Sequence, residues 1–117
     1  MIVSVSGANV VLGATFPPIP GGGRYFVAGF IITASGATAG ASVLARLANI
    51  DGVVGTLDFV FAFPIGAAVA AAPLNVMFNP PLPVVWGQAP VLLLPAGGGG
   101  NLNAAIVMLG SFQPPEL

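Results

Sequence analysis

The side chains that could carry acid–base or nucleophilic chemistry are few in this chain. It has two basic residues, three acidic residues, no histidine and no cysteine. Nucleophilic catalysis needs an activated hydroxyl or thiol beside a base, and glycoside hydrolysis needs two carboxylic acids. Asp51 precedes a glycine in a predicted turn, and Glu116 lies in a proline-terminated tail. Because this leaves Asp58 without a partner acid, we expect no enzymatic activity.

Asp58 has a simpler structural interpretation than catalysis. A carboxylate in an otherwise apolar strand can form an ion pair or a hydrogen bond with Arg46 or Arg24, within one chain or across an interface. Tyr25 and Trp86 are also open to two interpretations, because aromatic rings stack on sugars and fill pockets in cores and interfaces. Packing is favoured over sugar binding. The candidate interface residues are therefore Arg24, Tyr25, Arg46, Asp58 and Trp86.

The sequence predicts neither a metal site nor a cofactor site. Transition metals need His or Cys ligands, and Ca²⁺ needs clustered oxygen ligands. The four glycines at residues 97–100 could suggest a phosphate-binding loop, but a Walker motif continues with Lys and Ser or Thr. Here Asn101 and Leu102 follow, and the chain has no lysine. A flexible hairpin loop is the preferred interpretation of the glycine run.

The composition excludes some partners. The chain is 56% hydrophobic and 4% charged, with a net charge of −1, whereas an average domain is about a quarter charged. Nucleic-acid binding needs clustered Lys and Arg, so we expect no nucleic-acid partner. Residues 59–115 carry no charge, but prolines and the glycine run divide them into segments shorter than the roughly 20 residues of a spanning helix. We therefore expect no membrane partner.

Glycine and proline punctuate short apolar segments rich in Val, Ile, Leu and Phe, which is typical of an all-β sandwich or barrel. We predict a single domain over residues 1–117, with about seven to nine strands and no helix. The clearest predicted strands are residues 24–33, 42–50, 53–63 and 102–112. The pair Asp51-Gly52 predicts a tight hairpin. A Pro/Gly-rich arm over residues 13–23 and a short tail over residues 113–117 are expected to contact neighbouring subunits.

The predicted strands differ in the character of their faces. Residues 53–63 fit burial on one side, because Leu and Phe side chains occupy one face and Asp58, Val60 and Ala62 the other. Two other predicted strands are apolar on both faces. In residues 102–112, Ile106 and Met108 oppose Val107 and Leu109. In residues 24–33, simple alternation places Phe26, Phe30 and Ile32 opposite Tyr25, Val27 and Ile31. Strands of this kind need cover on both sides, and without helices we expect the second cover to be another subunit of an obligate homo-oligomer.

Five segments follow one another between residues 23 and 112: Gly23-Arg24-Tyr25-Phe26-Val27, the hairpin at Asp51-Gly52, Pro80-Pro81-Leu82-Pro83, the glycine run, and the strand ending Gly110-Ser111-Phe112. In the spacing of these segments and in composition, roughly residues 23–112 resemble small jelly-roll structural proteins encoded by tailed bacteriophages. The resemblance implies an antiparallel β-sandwich of jelly-roll type with about eight strands. It also implies a virion component, often a homotrimer, that decorates a capsid or caps a fibre.

Two functions follow as the main hypotheses, and a lipid-contacting protein is a third possibility. The first is a non-enzymatic virion structural protein, a capsid decoration or cement subunit that binds itself and a major capsid or other virion protein. The second is a carbohydrate- or receptor-binding β-sandwich at a phage tail or fibre tip, which would use Tyr25 and Trp86. Both hypotheses place the protein in the virion and require no cofactor.

Overall fold

A computed structural model describes residues 1–18 and 22–114 of the chain. Among these residues the chain forms eight β-strands and no helix, which confirms the all-β prediction. The strands are β1 (Ile2–Gly7), β2 (Leu12–Thr15), β3 (Arg24–Ala34), β4 (Ala41–Ala48), β5 (Thr56–Phe63), β6 (Leu74–Pro83), β7 (Val91–Leu94) and β8 (Ala104–Gln113).

The strands form two four-stranded antiparallel sheets, which make a β-sandwich as predicted. The first sheet has the order β1-β8-β3-β6, and the second sheet has the order β2-β7-β4-β5. Strand β1 pairs with β8, β2 with β7, β3 with β6, and β4 with β5. The first strand therefore pairs with the last, the second with the second-to-last, and so on to the central pair.

The core lies between the two sheets and consists of their inward-facing apolar side chains. An aromatic cluster joins the sheets at Phe30, whose ring centroid lies 5.0 Å from that of Phe59 and 6.3 Å from that of Phe78. Tilted and edge-on ring contacts of this kind add to the free energy of burial. The other large side chains that are fully buried include Phe16, Ile32, Leu47, Phe63, Leu92, Leu94, Ile106 and Met108.

The predicted faces of β5 and β8 are confirmed. In β5 the Leu and Phe side chains point inward, whereas Asp58, Val60 and Ala62 are exposed. In β8, Ile106 and Met108 are fully buried, while the residues that alternate with them are only half-buried. Both results follow from the two-residue period of an extended strand.

The predicted faces of β3 are wrong because that strand does not alternate without interruption. Its pairing register shifts between Val27 and Gly29 against both neighbouring strands, and in the pairing with β8 Ala28 is the extra residue of a β-bulge. The side chains that reach the core are Tyr25, Val27, Phe30 and Ile32. Phe26 and Ile31 alternate with them on the outward face, where they are half-buried. Strand β3 is therefore apolar on both faces, but with other residues on each face than expected.

The connection between β4 and β5 is longer than the predicted tight hairpin. The two strands do pair with each other, but residues 49–55 join them. Asp51 and Gly52 form a turn inside this loop. Asn49, Gly52 and Gly55 have positive φ angles of 68°, 81° and 84°, so the chain bends at several positions instead of one.

The predicted N-terminal arm begins inside the sandwich. Residues 13–15 belong to β2, and Phe16 is buried in the core, so the start of the arm prediction is wrong. Residues 19–21 of that arm lie outside the described residues. The predicted C-terminal tail begins within β8, and residues 115–117 also lie outside the described residues.

The glycine run at residues 97–100 does not form a hairpin, because it connects β7 of the second sheet to β8 of the first. Hydrogen bonds anchor this loop. The backbone N–H of Gly98 donates to Asn9 Oδ1 at 3.0 Å, and Asn9 N–H donates to Asn101 Oδ1 at 2.9 Å. Asn101 is buried and donates from Nδ2 to the Ser35 carbonyl at 2.8 Å. The polar groups at this end of the sandwich are thus engaged with one another.

The close approach at the β3 bulge gives a stability prediction. A Cβ added at Gly29 would overlap the Met77 side chain and the Val76 carbonyl, whereas a Cβ at Gly99 would meet nothing within 4 Å. We expect Gly29→Ala to lower the free energy of unfolding by about 1–3 kcal/mol through overpacking. Gly99→Ala should change it by less than about 0.5 kcal/mol. Urea denaturation at one fixed protein concentration measures both, and equal midpoints would refute the predicted contact.

Candidate functional site

The charged side chains of the described residues form two ion pairs. Arg24 Nη2 donates to Asp51 Oδ2 at 2.8 Å. Arg46 Nε lies 3.8 Å from Asp58 Oδ1, which also accepts a hydrogen bond from the Thr56 hydroxyl at 2.6 Å. No group of three or more His, Cys, Asp or Glu side chains that could hold a metal is present in residues 1–18 and 22–114. Each of these two carboxylates faces a cation of its own chain.

Arg24 joins three segments at one end of the sandwich. Its side chain is only 14% exposed, and its Nε and Nη2 atoms both donate to the Val84 carbonyl, at 3.2 and 3.1 Å. Its guanidinium carbon lies 4.4 Å from the ring centroid of Trp86 and 5.6 Å from that of Phe26. Both distances are within the range of cation–π attraction. Arg24 therefore ties β3 to the loop after β6 and, through Asp51, to the β4–β5 loop.

Tyr25 lies in the core, which corrects its assignment to an interface. Its ring centroid is 5.0 Å from that of Phe16 and 5.4 Å from that of Phe112, and its hydroxyl donates to the Pro17 carbonyl at 2.6 Å. The side chain is almost completely buried within one chain. A hydroxyl that is already hydrogen-bonded and a ring that is already covered offer nothing to a sugar or to a second subunit.

The outward face of the first sheet carries an apolar row across all four strands. The pairing register aligns Ile2, Leu109, Gly29 and Met77 in this row, and Ile2 and Met77 are 69% and 60% exposed. The neighbouring row contains Ser4, Val107, Ile31 and Asn75. An antiparallel sheet with one solvated face normally carries polar residues on that side. We call Ile2, Ile31, Met77, Val107 and Leu109 the first outer face.

The outward face of the second sheet holds a shallow groove of about 360 Å³. The residues that line it are Val11, Val43, Leu44, Arg46, Leu93 and Pro95. Val60 continues this face, because it pairs directly with Leu44 and is 65% exposed. The Arg46–Asp58 ion pair lies in the adjacent row. We call Val11, Leu44, Val60, Leu93 and Pro95 the second outer face.

The residues that were predicted as an interface fall into three separate places. Arg24 and Trp86 contact each other at the end of the sandwich. Arg46 and Asp58 are cross-strand neighbours on the outward side of the second sheet. Tyr25 is in the core. The structure thus brings these residues together in pairs but does not assemble them into one site.

Sequence reasoning identified the two-sided apolar strands but did not single out the residues that form the outer faces. Met77, Leu44 and Leu93 were missed. The signal that could have found them is their position between two inward-facing neighbours in a strand with a period of two. Such a residue must point outward, and an apolar side chain there marks a surface that needs cover.

No family model, curated protein or solved structure matches the chain. In the part of the chain that the structure describes, no helix has the length and apolarity needed to cross a membrane.

The contacts of Arg24 predict unequal effects for the two arginines. Arg24→Ala leaves the Val84 carbonyl and Asp51 without their donor, so we expect a loss of about 1–3 kcal/mol in the free energy of unfolding. Arg46→Ala removes only an exposed, long ion pair and should cost at most about 1 kcal/mol. Trp86 is the only tryptophan, so its fluorescence should shift in the first variant and stay unchanged in the second. Identical spectra in both variants would contradict the stacked geometry.

Proposed function

We propose that the chain is a jelly roll. Two features support this assignment: the described residues form eight antiparallel strands in two sheets, and strand pairing runs from the outside of the strand series inward, β1 with β8 through β4 with β5. A double-sheet jelly roll results when one long antiparallel hairpin is rolled into two facing sheets, and it is a common architecture of viral capsid and lectin domains.

The proposed function is that of a non-enzymatic structural subunit of a virus particle, which decorates or cements a capsid. The observation that carries it is the presence of apolar outer faces on both sheets. Inward apolar residues are covered by the opposite sheet, but Ile2, Met77, Val60 and Leu44 point away from it. Apolar burial contributes roughly 25 cal/mol per Å², so covering these faces with other protein would stabilise an assembly.

The low charge supports the same proposal. A freely soluble domain normally carries charged residues of both signs over about a quarter to a third of its surface, whereas this chain is 4% charged. Obligate interfaces are hydrophobic and often bury roughly 2,000–5,000 Å². A subunit that is largely enclosed by copies of itself and by capsid protein has little surface left to hydrate.

The polar groups fit a structural role better than a chemical one. Asp51 and Asp58 face Arg24 and Arg46, and neither carboxylate is paired with a second acid in a cleft. Asn101 is engaged with backbone and side-chain groups of neighbouring loops. We therefore propose that the protein acts mechanically, by holding subunits together in the virion, and that its partners are its own copies and a capsid or other virion protein.

A carbohydrate- or receptor-binding β-sandwich is the second candidate, and one observation favours it. Trp86 is about half exposed although Arg24 stacks on its ring. An exposed indole of fixed orientation could stack on a sugar. Tyr25 does not contribute to such a site because it is buried.

Binding to particles tests the proposed function. The purified chain is mixed with virus particles that lack it and is then sedimented, with Leu44→Asp and Ser42→Asp as a matched pair on the same face of β4. We expect the native chain and Ser42→Asp to sediment with the particles. Leu44→Asp should bind at least about tenfold more weakly, because it places a charge in an apolar contact.

The second candidate predicts the opposite result. In that case the native chain would stay in the supernatant with every particle preparation, would bind on a glycan array, and would lose that binding in Trp86→Ala with its oligomeric mass intact. That combination would refute the structural role and establish the carbohydrate-binding one.

A further inference from the structure

Strand β5 is a free edge of the second sheet. It is the last strand in the order β2-β7-β4-β5, and β4 is the one strand with which it pairs among the described residues. No loop backbone within residues 1–18 and 22–114 hydrogen-bonds to residues 56–63 either. The outer edge of β5 therefore presents N–H and C=O groups that another strand can pair with.

The other sheet edges are less suited to pairing. Strands β1 and β2, which end the two sheets on the opposite side of the sandwich, contact each other. Strand β6 lies beside β5 but contains Pro80, Pro81 and Pro83, which have no N–H to donate. Strand β5 has the sequence TLDFVFAF, with neither proline nor glycine and with β-branched and aromatic residues. These residue types favour extended pairing.

The core is incompletely closed along this edge. Leu57 and Phe59 of β5 are only half-buried, as is Phe78 of β6, although all three point inward. The ring centroids of Phe59 and Phe78 lie 6.2 Å apart, and both rings are partly exposed at this edge. A strand added beside β5 would place further side chains next to Phe59 and cover it.

We propose that the occupant of this edge is a second copy of the same strand, related by a two-fold axis. The two second sheets then join into one continuous antiparallel sheet of twice the width. This inference rests on the proposed function, because it names one self-contact of the assembly. A two-fold contact is self-complementary, so a single strand must supply both halves of it.

The sequence of β5 selects the register of this contact. Directly opposed residues of an antiparallel pair lie on the same face of the sheet. At the two-fold axis, one residue must therefore stand opposite its own copy, and we name the axis by that residue. An axis at Asp58 would oppose two carboxylates, and an axis at Phe59 would leave them as diagonal neighbours. An axis at Val60 separates them further. It opposes Val60 to its own copy, Phe59 to Phe61, and Asp58 to Ala62.

The same register makes the second outer face continuous. Val60 pairs with Leu44 within each chain, so the row through the axis reads Leu44, Val60, Val60 and Leu44. Val60 is 65% exposed in the single chain, and Leu44 is 38% exposed. Pairing brings these side chains into one apolar strip across both copies, with the Arg46–Asp58 ion pairs on either side of it.

Single cysteines test the contact, because the chain contains none of its own. Opposed residues in an antiparallel pair have Cα atoms roughly 4.5–5.5 Å apart, which suits a disulfide. We expect Val60→Cys to form a disulfide-linked dimer under mild oxidation at least about tenfold faster than Ser42→Cys, an exposed position on the same face of β4. Mixed Asp58→Cys and Ala62→Cys chains should also cross-link, and each of them alone should do so more slowly.

A pair of lysine variants tests the register without oxidation. Val60→Lys places two ammonium groups opposite each other and should weaken self-association about tenfold. Ala62→Lys places its ammonium group opposite Asp58 of the second copy and should leave self-association unchanged or stronger. Equal weakening in both variants would refute the register. Circular dichroism of each variant checks that the single chain is still folded.

The outcomes separate this inference from the proposed function. If Val60→Cys cross-links no faster than Ser42→Cys while the native protein is oligomeric, the edge contact is wrong and another surface holds the subunits, as in a cyclic trimer, which contains no two-fold axis. If the native protein is a single chain at every concentration, the edge contact and the proposed assembly both fail.

Discussion

Each of the two sheets can bury only one of its faces against the other sheet, and the chain has few charged side chains to hydrate the outward faces. The inward apolar faces pack against each other, with Phe30 and its aromatic neighbours between the sheets. The outward faces keep valine, leucine, isoleucine and methionine at positions where a monomeric sandwich would carry polar residues. The need to cover these faces is the constraint from which the proposed assembly follows.

Apart from the Arg46–Asp58 ion pair on the outward face of the second sheet, the polar side-chain interactions discussed above are concentrated at the two ends of the sandwich. At one end, Arg24 binds Asp51 and the Val84 carbonyl and stacks on Trp86. At the other end, Asn101 joins the loops that carry Asn9 and Ser35. These contacts hold the loops in place, and they engage Arg24 and Asn101 in hydrogen bonds within the chain. The proposed assembly would use the apolar faces and the open edge at β5.

The strand content was predictable from the sequence because it depends on local properties. Short apolar segments between glycines and prolines indicated the β-sandwich, and the alternation in β5 and β8 identified which residues share a face. The bulge in β3 was not predictable. A single extra residue, Ala28, reverses the alternation without any change in composition, so Tyr25 and Val27 share the inward face with Phe30 and Ile32.

The loops and the pairing order depend on interactions between distant residues, so spacing alone could not predict them. The pairing of β1 with β8 joins the two ends of the strand series. The glycine run was interpreted as a hairpin because nothing local indicates that β7 and β8 belong to different sheets. Likewise, the Asp51-Gly52 turn was identified, but the positive φ angles of Asn49 and Gly55 that lengthen the loop were not.

The native mass of the protein in solution tests the central claim most directly. Sedimentation equilibrium at roughly micromolar to millimolar concentrations, at low salt and at about 1 M NaCl, separates apolar from ionic association. If apolar outer faces hold the subunits together, the mass is a multiple of the 11.5 kDa chain and is unchanged by salt. A mass of one chain at the highest concentration would contradict the claim, as would an oligomer that dissociates when salt is raised.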